Sequence, residues 1–498
     1  MTVKRQAVPF EEALNMTGYG TYNVLVFLLC ASVIMGTIFE IFSVSYLVLG
    51  SACELGTTST EQGLVASLPI VGMLGTAHIW GYLADTKGRR RILSICMTMG
   101  FLAGTAAAFS PHWIVLCLFK FVSSTSVSGA YALAVTLLGE CTPKDKRTLL
   151  LLLSTSAIMV SMAIMAVISI PVLPMSFSFY VPYLNIHFNS WRLLDLIYAF
   201  PCAISVVGII CAYESPKYLL GIGKDQEALQ ILKSIYRINT RKDPEEHYHV
   251  DSLVLEENIS SKLERGFWGS IYHQTLPMFK APLLKHTILL ALLFVFNYMC
   301  IHSFMIWMPF IVNAFVSAQE EGMNICQMIS ASSSNTSPDV KPCTMNSSAM
   351  VMVCGFTLVL GIINILMSNI LKCVSRKKVF IGLQLFCGLA CLSLNFIRLW
   401  YLIAAVYLLL MMGSINFGFL SSFSVDIYPT HVRAIAVSFT LMTGRGSAII
   451  GINVMKVLLD QNCQLVFYLF GAIAIGGALV GLLLPSDAKL SEQKKISQ

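Results

Sequence analysis

Long apolar runs alternate with short polar breaks along this chain. Runs of about 20 residues, the length needed to cross a bilayer core, fall at about 23–49, 62–84, 92–110, 113–139, 148–171 and 190–212. A polar stretch over 213–285 follows. Six more runs then come at about 286–313, 349–371, 379–397, 399–424, 434–457 and 464–484. The pattern predicts six helices, a linker and six helices. Within the linker, Glu227 to Tyr236 place apolar residues three and four apart, which predicts an amphipathic helix lying under a membrane domain. Interleaved acids and bases through 241–265 exclude a span there. Residues 1–21 and 485–498 read as short polar tails, and 314–348 as a large loop rich in Asn, Ser and Thr.

Composition changes the picture only by closing off a soluble protein: 56% of residues are hydrophobic and 12% charged, too little polar surface to coat a water-soluble domain of this size. A net charge of +7 would suit a nucleic-acid partner, but most of the 33 Lys and Arg sit in 85–92, 140–148, 213–285, 372–378 and the two tails. These segments share one side of the predicted topology, so the charge sets orientation, with both termini cytosolic and no nucleic acid implied. The first apolar run begins near Tyr22 and is long enough to span, so no cleavable signal peptide is expected. Most of the 15 cysteines lie inside apolar runs as small hydrophobes. Cys326 and Cys343 lie instead in the large loop on the predicted non-cytosolic side, where they are a candidate disulfide. Asn335 and Asn346 open sequons in the same loop and are candidate N-glycosylation sites.

One polar constellation appears twice. Glu140, Pro143 and Arg147 end the fourth run, and Asp426, Pro429 and Arg433 end the tenth with the same spacing. The repeat argues for a duplicated chain, hence two pseudo-symmetric six-helix bundles over 22–212 and 286–484. The second break reads Gly81-Tyr82-Leu83-Ala84-Asp85-Thr86-Lys87-Gly88-Arg89-Arg90-Arg91. Gly81 would permit close helix approach, Asp85 can face an arginine or a helix N-terminus, Gly88 allows a tight turn, and the arginines anchor to the membrane edge.

These residues resemble the signature of the major facilitator superfamily, with Thr86 where a basic residue is usual. The repeated acid-proline-arginine motif, together with Glu214-Ser215-Pro216-Lys217, is similar to the sugar porter and organic ion transporter group. The whole pattern resembles the synaptic vesicle glycoprotein 2 family and related insect proteins, with a shorter N-terminal tail and a shorter loop between helices 7 and 8. The resemblance implies a fold that works as a monomer and a network of membrane-edge charges that locks the outward-facing state. Gly81, Asp85, Gly88, Arg89, Arg90, Glu140, Arg147, Glu214, Arg376, Asp426 and Arg433 are the candidate conformational residues. The network should be stronger in the first half, because Lys372 stands where the first half has Asp85.

A charge at the bilayer centre costs about 2.5–3.5 kcal/mol, so each one inside a run asks for a reason. Glu40 sits at a place resembling the acid of proton-coupled sugar porters and is a candidate to bind a proton or a cationic substrate; the plain alternative is an acid near the outer water interface. Lys120 lies where the family carries a helix 4 arginine. Arg445, in a Gly444-Arg445-Gly446-Ser447 stretch similar to organic ion transporters, either faces the cavity and favours anions or pairs within the bundle. In helix 7, Asn297, Tyr298, His302 and Trp307 either line a midplane cavity, suiting a ligand with an apolar body, or pack as core. The helix 7 glutamine stretch of sugar porters is absent, which disfavours a hexose. No phosphate-binding glycine loop, metal-ligand cluster or nucleophile motif is present, so neither enzyme chemistry nor a cofactor is expected. The sequence thus points to secondary transport of a small organic solute, an organic ion before a sugar, by alternating access with protons as a candidate coupling ion. The other reading is a multi-pass vesicle or surface glycoprotein that uses the fold for binding and recruitment with little transport.

Overall fold

The structure, a computed structural model, describes residues 7–244, 248, 250, 252–254, 276–281, 283–317, 322–334, 346–370, 375–428 and 430–485. The first half contains α1 (Thr21–Leu55), α2 (Ser59–Lys87), α3 (Arg89–Ala107), α4 (Trp113–Glu140), α5 (Lys144–Val172) and α6 (Ser190–Cys211). The second contains α7 (Leu283–Ser317), α8 (Ser347–Ile370), α9 (Arg376–Ser393), α10 (Trp400–Met411, continued by a 3-10 turn into Asn416–Ile427), α11 (Thr430–Gln461) and α12 (Cys463–Gly481). Among the described residues nine of these helices are long and apolar enough to cross a membrane; α3, α9 and α11 carry more end charges or polar positions and complete the twelve.

Inverted amphipathicity shapes each bundle. Leu102, Leu118, Val207, Ile362, Leu389 and Leu479 are exposed on the outside, where a bilayer would cover them, while small and polar residues let helices approach inside. Gly451 is one such place: a Cβ there would meet the Met299 carbonyl and Ser303, so α7 and α11 touch nearly backbone to backbone. Helix α1 breaks at Ser43 between Thr21–Phe42 and Val44–Leu55, and Pro69, Pro171, Pro201 and Pro309 interrupt α2, α5, α6 and α7. The two halves meet along α2 with α11 and along α5 with α8. Asn453 donates to Ser67 Oγ at 2.9 Å across the first seam.

The linker helix, Asp225–Thr240, buries Ala228, Leu232, Ile235 and Tyr236, the face expected from its periodicity. Where the sequence suggests only a polar tail, residues 7–16 are folded: β1 (Ala7–Pro9) pairs in parallel with Ser252–Val254, and a short helix, Phe10–Met16, follows. The reason is apolar. Val8, Phe10, Ala13 and Leu14 form one cluster with Leu219, Leu232, Tyr236 and Leu253. Tyr248 donates to the Ala13 carbonyl at 2.8 Å, and burial pushes its phenol above the ordinary value. Asn239 ties this layer to α1, donating to Gly18 O and Asn23 Oδ1 and accepting from the Tyr22 N–H.

On the opposite face, called here the loop side, Cys326 is bonded to Cys463, with Cα atoms 5.5 Å apart, and not to Cys343, which lies outside the described residues. Helix Ile325–Ser334 carries Cys326 to the start of α12, where Cys463 lies at the edge of the last apolar run. Cys53 is also disulfide-bonded. Asn346 is exposed at the start of α8, as a glycan acceptor must be, while Asn335 lies outside the described residues.

Candidate functional site: a central cavity, a buried charge triad and paired membrane-edge charges

A cavity of about 420 Å³ separates the halves, lined by Tyr131 of α4, Leu149, Leu153, Ser156 and Met159 of α5, Leu360 and Asn364 of α8, and Ser414 and Phe417 of α10. It reaches Leu149 in the second turn of α5, so it lies toward the side from which the linker leaves. Its wall is apolar, with Tyr131, Ser156, Asn364 and Ser414 offering neutral hydrogen-bonding groups. Toward the loop side the halves close. Phe42 and Tyr46 of α1, Met162 and Met165 of α5, and Met305 and Met308 of α7 leave a void of about 20 Å³, room for little more than one water.

None of Glu40, Asn297, Tyr298, Trp307 and Arg445 is among the cavity's lining residues. Tyr298 stands directly behind the wall, edge-on to Phe417 at 5.9 Å and stacked on His302 at 4.2 Å between ring centroids. Gly444 packs against the Tyr298 ring, and Arg445 is the next residue. The Arg445 guanidinium donates to the Met73 carbonyl of α2 at 3.4 Å and has no carboxylate partner among the described residues. By contrast Lys456, three turns further along α11, pairs with Asp460 at 3.1 Å and lies over the Phe310 ring. Trp307 donates to the Ile452 carbonyl at 3.1 Å and is sealed between α7 and α11, a helix-packing contact rather than a cavity wall. Asn297 is buried, with Oδ1 unpartnered among the described residues.

Glu40 is fully buried in the first bundle, so it is not an acid at the water interface. Lys120 Nζ lies 3.4 Å from Glu40 Oε2 and 2.6 Å from Asp195 Oδ1, and Ser123 donates to Glu40 Oε2 at 2.6 Å. Gly104 leaves the room for this carboxylate, since a Cβ there would land on it. Glu40 Oε1 and Asp195 Oδ2 have no hydrogen-bond partner among the described residues. Two carboxylates around one ammonium leave an unbalanced negative charge, and one added proton would make the triad neutral. Asp195 lies only five residues into its helix, so in sequence it looks like a boundary charge; its pairing with Lys120 is a tertiary fact.

At the linker-side ends the charges pair within each half. The Arg89 guanidinium lies 3.2 Å from both Asp85 and Glu140 and over the Tyr218 ring. The Tyr218 phenol is pushed up by burial first and by Glu214 second. Ser215 donates to Glu140, and the Glu214 carboxylate accepts from the Arg90 N–H at 2.9 Å. Gly88 is required here, having φ +100° and no space for a Cβ beside Glu214. Among the described residues nothing lies within 4 Å of a Cβ placed at Gly81, so the close approach expected there is not seen in this conformation. Arg90 donates to the Ile209 and Ile210 carbonyls at the end of α6. In the second half Arg376 meets Asp426 at 2.7 Å, and Lys377 donates to the Leu482 and Leu484 carbonyls at the end of α12. Each half thus repeats the same device: one base to the acid ending the fourth helix, the next to the carbonyls ending the sixth. The Arg376–Asp426 distance is shorter than either Arg89 contact. Arg147 turns away from this network to Glu11 of the N-terminal helix, at 2.8 Å. Arg433 lies in α11, its side chain outside the described residues, as is Lys372.

The family model described as the Major Facilitator Superfamily matches residues 28–339. The chain belongs to the major facilitator superfamily. It is a multi-pass integral membrane protein with the twelve-helix fold of that superfamily. Among relatives, it is 25% identical over 329 residues to synaptic vesicle glycoprotein 2B of Homo sapiens, covering 61% of this chain and 47% of the relative. It is 28% identical over 273 residues to synaptic vesicle glycoprotein 2C of Rattus norvegicus, covering 53% and 37%. The matches therefore span less than half the length of these curated relatives. A partially occluded, inward open structure of the E. coli xylose transporter superposes with a TM-score of 0.67 at 13% identity, covering 94% of this chain and 99% of that one, a likeness of fold.

One further knot has no counterpart in the motif reading. On the loop side the buried Arg192 donates to the Ala108 and Ser110 carbonyls at 2.8 and 2.9 Å and to Glu54 at 2.7 Å, joining α6 to α3 and α1.

Proposed function

We propose that this major facilitator protein is a secondary active transporter of a small organic anion, working by alternating access and coupled to protons, as a monomer with the linker side in the cytosol. The observation that carries the reading is the cavity of about 420 Å³ between the halves on one side, set against packed Phe42, Tyr46, Met165 and Met308 on the other. That is the shape of one end state of a rocking pair of bundles. The apolar wall with a few neutral polar groups suits a solute with an apolar body more than a sugar. Arg445, lacking a carboxylate partner among the described residues, supplies the preference for negative charge. The Glu40, Lys120 and Asp195 triad is the coupling element: a proton taken by it changes the charge inside the first bundle and so the balance between states.

Under this reading the paired edge charges brace each half as it moves, because every described pair lies within one half. Purified protein reconstituted in liposomes and screened with carboxylates, amines and sugars tests the substrate class; carboxylate uptake driven by an inward proton gradient is the expected result. Glu40→Gln should retain some uptake but lose its dependence on pH, and an unchanged pH profile would remove Glu40 from coupling. The second reading, a vesicle or surface glycoprotein that binds without moving solute, rests on the relatives named synaptic vesicle glycoproteins. Saturable ligand binding with no uptake for any solute class would favour it.

A further inference from the structure

Away from the central cavity, a recess of about 540 Å³ lies between the start of α3 and the end of α6, lined by Arg90, Arg91, Ser94, Ile95, Ile209, Ile210 and Glu214. Two of its charged groups are already committed. The Arg90 guanidinium caps the Ile209 and Ile210 carbonyls, and the Glu214 carboxylate accepts from the backbone N–H groups of Arg90 and Ser215. Arg91 is exposed and makes no hydrogen bond or ion pair among the described residues. Ser94 and Ile95 follow it by three and four positions, on the same helical face.

The recess continues into apolar surface. Exposed Ile95, Met99 and Leu102 form a ridge along α3, and exposed Ile204, Val207 and Ile210 form one along α6. A cationic mouth at the membrane edge above two parallel apolar ridges matches a molecule with an acidic head and a hydrocarbon tail. We infer that this recess binds an anionic phospholipid of the linker-side leaflet, its phosphate and second acidic group held by Arg91 and Ser94 and one acyl chain lying between the ridges. The uncommitted charge is positive and the lining acid is already used, so a headgroup with net negative charge is favoured over a neutral zwitterionic one. The apolar floor favours a lipid over free phosphate.

Native mass spectrometry and thermal unfolding of the detergent-purified full chain test this, with phosphatidylserine, phosphatidylcholine and inorganic phosphate as separate arms. Phosphatidylserine should remain bound and raise the unfolding midpoint, and the other two should do neither. Losing a charge-assisted contact predicts roughly tenfold weaker phosphatidylserine binding for Arg91→Ala. Lys87→Ala, a base outside the recess, should bind as wild type. Ser94→Asp adds a negative charge to the same recess and should lose binding as well, so the test survives if Arg91→Ala does not fold. Equal binding of phosphatidylcholine, equal protection by inorganic phosphate, or unchanged binding in folded Arg91→Ala or Ser94→Asp would each overturn the inference.

Discussion

Lys120 is held between Glu40 and Asp195 with none of the three exposed, and that burial fixes what each can be. Removing one partner of a buried charge cluster costs about 3–5 kcal/mol because the others are left uncompensated. Lys120→Met should therefore lower the thermal unfolding midpoint sharply, and adding Glu40→Gln and Asp195→Asn should restore most of it; absence of rescue would show that Lys120 matters for packing alone. Arg445 belongs to the opposite case, a charge in the α2–α11 seam with no acid answering it among the described residues. Opening of the α2–α11 seam, where Arg445 donates to the Met73 carbonyl, would free its guanidinium to meet a carboxylate; such a charge-assisted hydrogen bond contributes about 1.5–3 kcal/mol, so Arg445→Gln should raise the KM for a transported carboxylate at least about tenfold and leave a neutral analogue unaffected. Glu40, Lys120 and Arg445 were all legible as costly intramembrane charges. Their roles were not, because sequence gives depth along a helix but only packing gives the neighbour: Glu40 turned out to face Lys120 and Ser123 inside its own bundle, and Trp307 to face the Ile452 carbonyl.

Among elements, the N-terminal helix Phe10–Met16 departs most from expectation. Its contribution divides unequally between an ion pair and an apolar face. Glu11 and Arg147 are 38% and 26% exposed, and such a pair contributes only about 0–1 kcal/mol. Phe10 is 3% exposed within the cluster of linker side chains, and a buried Phe→Ala change costs about 3–5 kcal/mol. Limited proteolysis should accordingly cut the linker helix Asp225–Thr240 much faster in Phe10→Ala than in wild type, with Glu11→Gln close to wild type. If Glu11→Gln were the more labile, the ion pair and not the apolar face would hold this layer. The linker helix itself was readable because its period is local; the tail was not, since Val8, Phe10, Ala13 and Leu14 form a buried face only when Leu232 and Leu253 are brought to them.

For the whole molecule, alternating access requires the α2–α11 seam to open. Cross-linking Ser67→Cys with Asn453→Cys, whose native side chains already bond at 2.9 Å, should abolish uptake on oxidation, while either single variant stays active. Full activity with the cross-link formed would exclude rocking about this seam. The sequence by itself determined the twelve helices, their grouping as two halves around a linker and the membrane class, because a bilayer reads length and apolarity directly and imposes them segment by segment. It also marked the duplicated acid-proline-arginine motif. Only the tertiary structure decided that Arg89 and Arg376 answer acids in their own halves, that Arg147 belongs to Glu11, that Cys326 bonds Cys463 and that Asp195 completes the triad. Those pairings join residues tens to more than a hundred positions apart, and no local period encodes a partner that only the packing of separate helices brings within reach.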